Sequence, residues 1–215
     1  WLTLKEDPNQ LIGEWWTSEK KPGRLYVTGE DLGRKNDPTV LITYDITDYD
    51  PHKRDEFGRF TSPAVMVDFK YLEAGTLEWS EIEAISKEHC EYWQPDAQHD
   101  GTGSGDSFTE YMDGLSDAFM FTKQSKQDIV TTIQHAFDYG AVKMPKIAKL
   151  FREHQRYPWD DKDIVQDTVM ANGLAISLFH DGGSDVFVGF PKVPFMSEKG
   201  AAWTNKIKFQ KIVFG

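Results

Sequence analysis

One cysteine, Cys90, stands among 215 residues. A lone thiol closes no intramolecular bridge, so the fold must rest on a packed core and not on a disulfide framework. Long apolar runs are also missing. No stretch approaches the ~18 residues that cross a bilayer, and no secretory leader pattern is present. Positive charge is scarce: 24 Lys and Arg face 35 Asp and Glu, for a net charge of −11. Such a surface repels phosphates, so nucleic acid is not an expected partner. The six histidines, His52, His89, His99, His135, His154 and His180, show no H-E-x-x-H spacing, and no C-x-x-C pair exists. The chain begins at Trp1 with no methionine, so a processed product or part of something longer is expected.

What is present is a globular composition. Hydrophobic residues make up 39% and aromatic residues 13%, enough apolar surface for one large domain or two small ones. The chain is organised around residues 23–51, G-R-L-Y-V-T-G-E-D-L-G-R-K-N-D-P-T-V-L-I-T-Y-D-I-T-D-Y-D-P. Two strand-like runs, 24–28 and 39–46, flank a connection carrying Gly29, Gly33, Asn36, Asp37 and Pro38, all turn formers. Val40, Ile42, Tyr44 and Ile46 fall on one face of the second run. The pair reads as neighbouring antiparallel strands, and nothing in it looks catalytic.

Before it come a short strand at 1–4, a turn at Asp7-Pro8-Asn9, and Trp15-Trp16. Adjacent strand residues point to opposite faces, so one Trp is expected in the core and its neighbour at a rim or interface. The charged segment 48–59, with Pro51 and Gly58, reads as a boundary. A strand comes next at 60–72 and a shorter one at 76–85. Residues 94–107, Q-P-D-A-Q-H-D-G-T-G-S-G-D-S, read as an exposed mobile loop. Helical spacing then appears. Ser125 with Asp128 suggests a capping box, Gly140 a stop, and Pro145 the start of a second helix ending at Pro158. A third runs from Asp160 to Ala171 and closes at Asn172-Gly173. Strand patterns return at Leu174, Ile176, Leu178, at Val186 and Val188 beyond a turn at 180–183, and at 206–214. The expected fold class is mainly β, jelly-roll or β-sandwich-like, with a helical insert around 125–172.

Candidate chemistry is thin. Gly105-Asp106-Ser107 matches the start of a GDS-type esterase motif, but it stands after a Gly-rich loop and not a buried strand. Asp100, Thr102, Ser104 and Asp106 space like a calcium loop, yet Tyr111 stands where a bidentate Glu is needed. Glu81 and Glu83 would share a strand face, as glycosidase acid/base pairs do. His154, on an apolar helical face, reads as a packed histidine. Asp45, Asp48 and Asp50 close the second strand of the central pair, where clustered carboxylates can hold a hard cation between subunits.

The runs W-L-T-L, K-K-P-G-R-L-Y-V-T-G and D-P-T-V-L-I-T-Y-D-I resemble the last strands of the shell jelly roll in small icosahedral viruses, of the tombusvirus and nodavirus coat-protein type. Gly23, Arg24, Leu25, Tyr26, Val27, Tyr44, Asp45 and Ile46 carry the resemblance, which covers about the first 50 residues. It implies a shell remnant at 1–50, a linker at 51–59 and a protruding domain at 60–215. The function it implies is self-assembly into a virion, with other capsid subunits as partners and no membrane. Trp15, Trp16, Tyr26 and Tyr49 are the expected interface residues. No catalytic residue and no cofactor are expected, with Ca2+ at Asp45, Asp48 and Asp50 between subunits as the one candidate ion. The alternative is a secreted or surface β-sandwich that binds or hydrolyses carbohydrate, resting on seven Trp and eight Tyr.

Overall fold

Strand β3 (Thr39–Asp45) is buried at all seven positions, Thr39 and Thr43 included. A strand buried on both faces needs a layer on each side, so it cannot belong to a sandwich with one face in water. The computed structural model, which describes residues 15–33, 36–104, 106–157 and 166–180, supplies both layers. Contacts divide the chain into Trp1–Ser184 and Asp185–Gly215, and every described residue lies in the first unit.

The sheet has seven strands in the order β1-β4-β3-β2-β5-β6, with β7 on the outer edge of β4. They are β1 (Trp15–Thr17), β2 (Tyr26–Asp31), β3, β4 (Ala64–Leu72), β5 (Asp96–Asp100), β6 (Asp117–Phe119) and β7 (Val142–Lys143). The central β2–β3 pair is antiparallel, Tyr26 opposite Asp45 and Asp31 opposite Val40. Strand β5 then joins β2 in parallel, Gly29 opposite Gln98, and β6 joins β5 in parallel. Strands β2, β4, β5 and β6 therefore end at the same edge.

Helices α1 (Trp79–Trp93), α2 (Gly101–Ser104), α3 (Asp106–Tyr111), α4 (Lys123–Asp138), α5 (Ala148–Arg156) and α6 (Asp167–Ser177) complete the described fold. One layer packs Ile82 and Cys90 of α1 with Phe108 of α3, Met112, Leu32 and Ala97. On the other side α6 lies on β2, β3 and β5, with α4 and α5 against it. Residues Thr168–Ile176 are all buried, as expected of a helix enclosed on every side.

The fold is thus mixed α/β, and the mainly β expectation is corrected. Three misread segments account for the difference. Residues 76–85 enter α1, whose buried Ile82, Ser86, His89, Cys90 and Trp93 recur at helical spacing within a charged sequence. The loop expected at 94–107 contains β5, a polar strand buried at Ala97 and His99. In the run at Leu174, Ile176 and Leu178, the first two belong to α6 and Leu178 stands at its C-terminal cap. Gly173 is no helix stop: a Cβ there would stand 2.1 Å from Ile129 Cγ2 of α4, so the glycine permits a close helix crossing. The helical segments are integral layers and not an insert. Helix α4 is capped three residues earlier than Ser125–Asp128 suggests, by Thr122, whose Oγ1 accepts from the Ser125 amide at 3.0 Å.

Between β3 and β4, the charged segment folds on itself, with Thr61 N–H donating to Lys53 O. The strand at 1–4, the Asp7-Pro8-Asn9 turn, the turn residues 181–183, Val186, Val188 and the run at 206–214 lie outside the described residues.

Candidate active site

Gly29 is the point on which the site turns. A Cβ on Gly29 would meet Ala171 O at 2.2 Å and Ala175 N at 2.4 Å, so α6 rests directly on β2 there. Asp31 is two residues further along β2 and faces the same side as Gly29. Asp167 is four residues back along α6 and shares the face of Ala171. Each step covers about 6–7 Å toward the same edge, so the Gly29–Ala171 contact carries Asp31 and Asp167 toward one another.

Two more carboxylates join them. Asp100 ends β5, two residues beyond Gln98, the partner of Gly29, which puts it on the same sheet face beside Asp31. Asp37 comes from the β2–β3 connection. Gly33 lets that connection fold back: a Cβ there would lie 2.0 Å from Asp37 O and 2.1 Å from Pro38 O. Thr39 Oγ1 locks the loop, accepting from Gly33 N–H and donating to Gly33 O, both at 3.1 Å.

Electrostatics records the convergence. Burial pushes the Asp31 carboxyl well above the usual range, and the charges of Asp167 and Asp100 push it further, with Lys126 opposing and Asp37 adding. Burial raises Asp167 to about 6, with Glu153 and Asp37 contributing and Lys149 opposing. Gathered carboxylates that cannot all ionise comfortably are suited to a proton or a cation between them. The donors are hard oxygens, which fit Mg2+ or Mn2+ better than soft-ligand metals. Among the described residues, no three such side chains are close enough to hold an ion as they stand. An ion would have to draw them in, and Asp37 sits on an exposed loop.

The residues singled out from sequence lie elsewhere. Asp45 and Asp48 each accept from Arg24 at 2.7 Å, while Asp50 lies 3.5 Å from Lys53. They sit at the opposite end of the sheet, since Asp45 pairs with Tyr26, five residues or roughly 16 Å before Asp31. Tyr26 is buried edge-on against Trp93, centroids 4.9 Å apart. Tyr49 is half-buried, its hydroxyl 2.8 Å from His180 Nδ1. Trp16 is half-buried opposite Phe69, and the Trp15 side chain lies outside the described residues, as do those of Ser104 and Asp106. Ser107 is exposed on α3. Glu81 falls in the first turn of α1 and Glu83 just beyond it, two apart and so not facing each other. Glu81 Oε2 accepts from Glu78 N–H at 2.8 Å. His154 Nδ1 donates to Leu150 O, and its Nε2 accepts from Asn172.

Asp31 and Asp167 were not visible as candidates in the sequence, and Asp100 entered only as the first position of a calcium loop. The available signal was position: Asp31 and Asp100 each end a strand and are followed closely by glycine, and Asp167 opens an apolar helix.

No protein-family model and no curated protein matches the sequence. Solved structures do. The large terminase nuclease of thermophilic phage G20c with bound zinc aligns at 18% identity over 79% of this chain and 94% of its own, with a TM-score of 0.60. With bound magnesium, the G20c nuclease aligns at 17% over 78% and 92%, again at 0.60. The nuclease domain of the bacteriophage SPP1 large terminase with bound Mn aligns at 12% over 79% and 96%, TM-score 0.50. The coat-protein resemblance is overturned: the two strands that carry it are real neighbours, but in a different sheet. With it goes the virion-shell function, and the carbohydrate alternative loses its β-sandwich. The ions in those structures overturn the expectation of no metal beyond calcium between subunits. The expectation that an acidic chain avoids nucleic acid is also overturned. Net charge counted Asp31, Asp37, Asp100 and Asp167 as spread surface, whereas the fold gathers them toward one sheet edge. The described architecture, a mixed sheet between helical layers, is that of phage large terminase nuclease domains, an RNase H-like fold.

Proposed function

We propose that this chain is a metal-dependent nuclease of the large-terminase type, cutting DNA during phage genome packaging. The observation that carries this reading is the convergence of Asp31, Asp100 and Asp167 toward one sheet edge, from two parallel strand ends and a helix start, on a fold shared with such nucleases. In this reading the chain acts with the packaging machinery and is not a subunit of the shell. Among the described residues no helix is long and apolar enough to cross a membrane.

Asp31, Asp100 and Asp167 would hold divalent cations, with Asp37 at the rim. Such ions supply charge neutralisation at a phosphodiester and acidify a bound water. The chain's own residues do the rest. Asp31, buried and facing the charges of Asp167 and Asp100, would give up its proton as a cation binds, because a ligating carboxylate must be ionised. Lys126, near enough to Asp31 to lower its pKa, offers a positive charge to a phosphate. The sheet edge and the α6 start keep the carboxylates on rigid elements, which catalytic geometry requires.

The test is cleavage of supercoiled plasmid by the purified chain with Mg2+ or Mn2+. Nicked and linear products are expected, abolished by a chelator and reduced at least ~100-fold in Asp31→Asn and Asp167→Asn. Asp48→Asn, at the opposite end of the sheet, is expected to cut normally. A wild-type chain that cuts no DNA with either ion would overturn the reading. So would Asp31→Asn and Asp167→Asn variants that cut as well as wild type.

A further inference from the structure

Helix α6 begins at Asp167, and its N-cap residue, Gln166, makes no side-chain capping bond. The first-turn amides of a helix need acceptors. Here one comes from another helix. Glu153 of α5 uses Oε2 to accept from Thr168 N–H at 3.0 Å and from Thr168 Oγ1–H at 2.6 Å. Glu153 is only 9% exposed, so a second carboxylate is buried beside Asp167, whose ionisation it opposes. A neutral Ser, Thr or Asn at the N-cap would satisfy the same amide without that burden. Lys149, one turn earlier on α5, stacks on the Tyr71 ring with its Nζ 3.3 Å from the centroid and pairs with Glu73 at 2.5 Å. Its charge acts on both Glu153 and Asp167. The two Glu153–Thr168 bonds thus tie α5 to the residue next to Asp167.

We propose that Glu153 is a positioning residue for the carboxylate cluster: it pins the first turn of α6 so that Asp167 faces Asp31, and its negative charge strengthens the hold of the cluster on a divalent cation. This rests on the nuclease reading. A cap alone needs the acceptor and not the charge, so the two roles separate in Glu153→Gln, whose amide oxygen can still accept both Thr168 bonds.

The test is calorimetric titration of the full chain with Mg2+, beside thermal melts and plasmid cleavage. Glu153→Gln is expected to melt close to wild type, to bind Mg2+ about 10-fold more weakly, the lower end of what outer-shell partners contribute, and to recover cleavage at raised Mg2+. Lys149→Met removes the opposing positive charge and is expected to bind Mg2+ more tightly, which keeps the proposal testable if Glu153→Gln does not fold. Wild-type affinity in Glu153→Gln would reduce Glu153 to a cap and overturn the proposal while leaving the nuclease reading intact. Should Glu153→Gln not fold, unchanged affinity in Lys149→Met would overturn it equally. A wild-type chain that neither binds Mg2+ nor cuts DNA would overturn the nuclease reading itself.

Discussion

Gly29 and Ala171 touch through backbone, with no room for a methyl group between them: a Cβ on Gly29 would lie 2.2 Å from the Ala171 carbonyl oxygen. Helix backbone cannot rotate aside as a side chain can. Gly29→Ala is therefore expected to lift α6 from β2 and destabilise the fold by ~3 kcal/mol. Cleavage should fall further than the loss of folded protein explains, because Asp167 moves with α6 away from Asp31. Thermal melts paired with cleavage well below the transition check this, and an unchanged melting temperature would refute the contact.

Glu30, next to Asp31, points to the opposite face of the sheet. It is fully buried, with the Cys90 thiol donating to Oε1 at 3.4 Å. Burial, the dominant cause, raises its carboxyl from 4.5 to about 7. The folded state therefore holds this proton more tightly than the unfolded state. Its contribution to stability is full below the unfolded pKa and is lost as pH rises through the folded one. Glu30→Gln should differ little from wild type near pH 4.5 and be more stable near pH 8, by ~3 kcal/mol in order of magnitude. Urea midpoints at the two pH values measure it. Parallel curves for the two proteins would count against the assignment.

Asn172 sits at the centre of a buried polar relay. Its Oδ1 accepts from Tyr44 Oη–H at 2.7 Å and its Nδ2 donates to His154 Nε2 at 3.0 Å. Burial lowers His154 to about 4, so its ring is neutral and can accept. Asn172→Ala leaves two buried polar atoms without this partner and should cost about 2–4 kcal/mol. Chemical denaturation reports it, and a cost below ~1 kcal/mol would mean that the relay is replaceable by water.

Cys90 is 2% exposed, and burial, followed by the charge of Glu30, pushes its thiol pKa up. Thiolate is the reactive form. A chromogenic disulfide reagent should therefore leave the native protein unmodified and react only as fast as the chain opens. Rapid stoichiometric labelling without denaturant would contradict the burial of α1 on the sheet.

Parts of this architecture are legible without a structure. Alternation in 39–46 and 60–72 marks β3 and β4, and the spacing of Ile129, Val130, Ile133 and Ala136 marks α4, because such patterns reflect neighbours a few residues apart. The same local signals mislead where a segment is buried on all sides. Leu174 and Ile176 alternate like a strand, yet they belong to α6, since a fully enclosed element carries no polar face to reveal its period. The β2–β3 pair looked like the end of a jelly roll because two antiparallel strands look alike in any sheet. Elements further along the chain separate the two folds: helix α1, then the parallel strand β5, whose D-A-Q-H-D is too polar to announce itself.

The sequence by itself determined the ingredients: a disulfide-free core, an excess of carboxylates, and glycines at 29, 33 and 173 that hold space for backbone or a crossing helix. Only the tertiary structure decided which of the 35 acidic residues matter together. Asp31, Asp100 and Asp167 lie far apart in the chain, and no local pattern links them. Their convergence results from parallel pairing of β2 with β5 and from a helix resting on a glycine, and both are long-range events that chain periodicity does not encode.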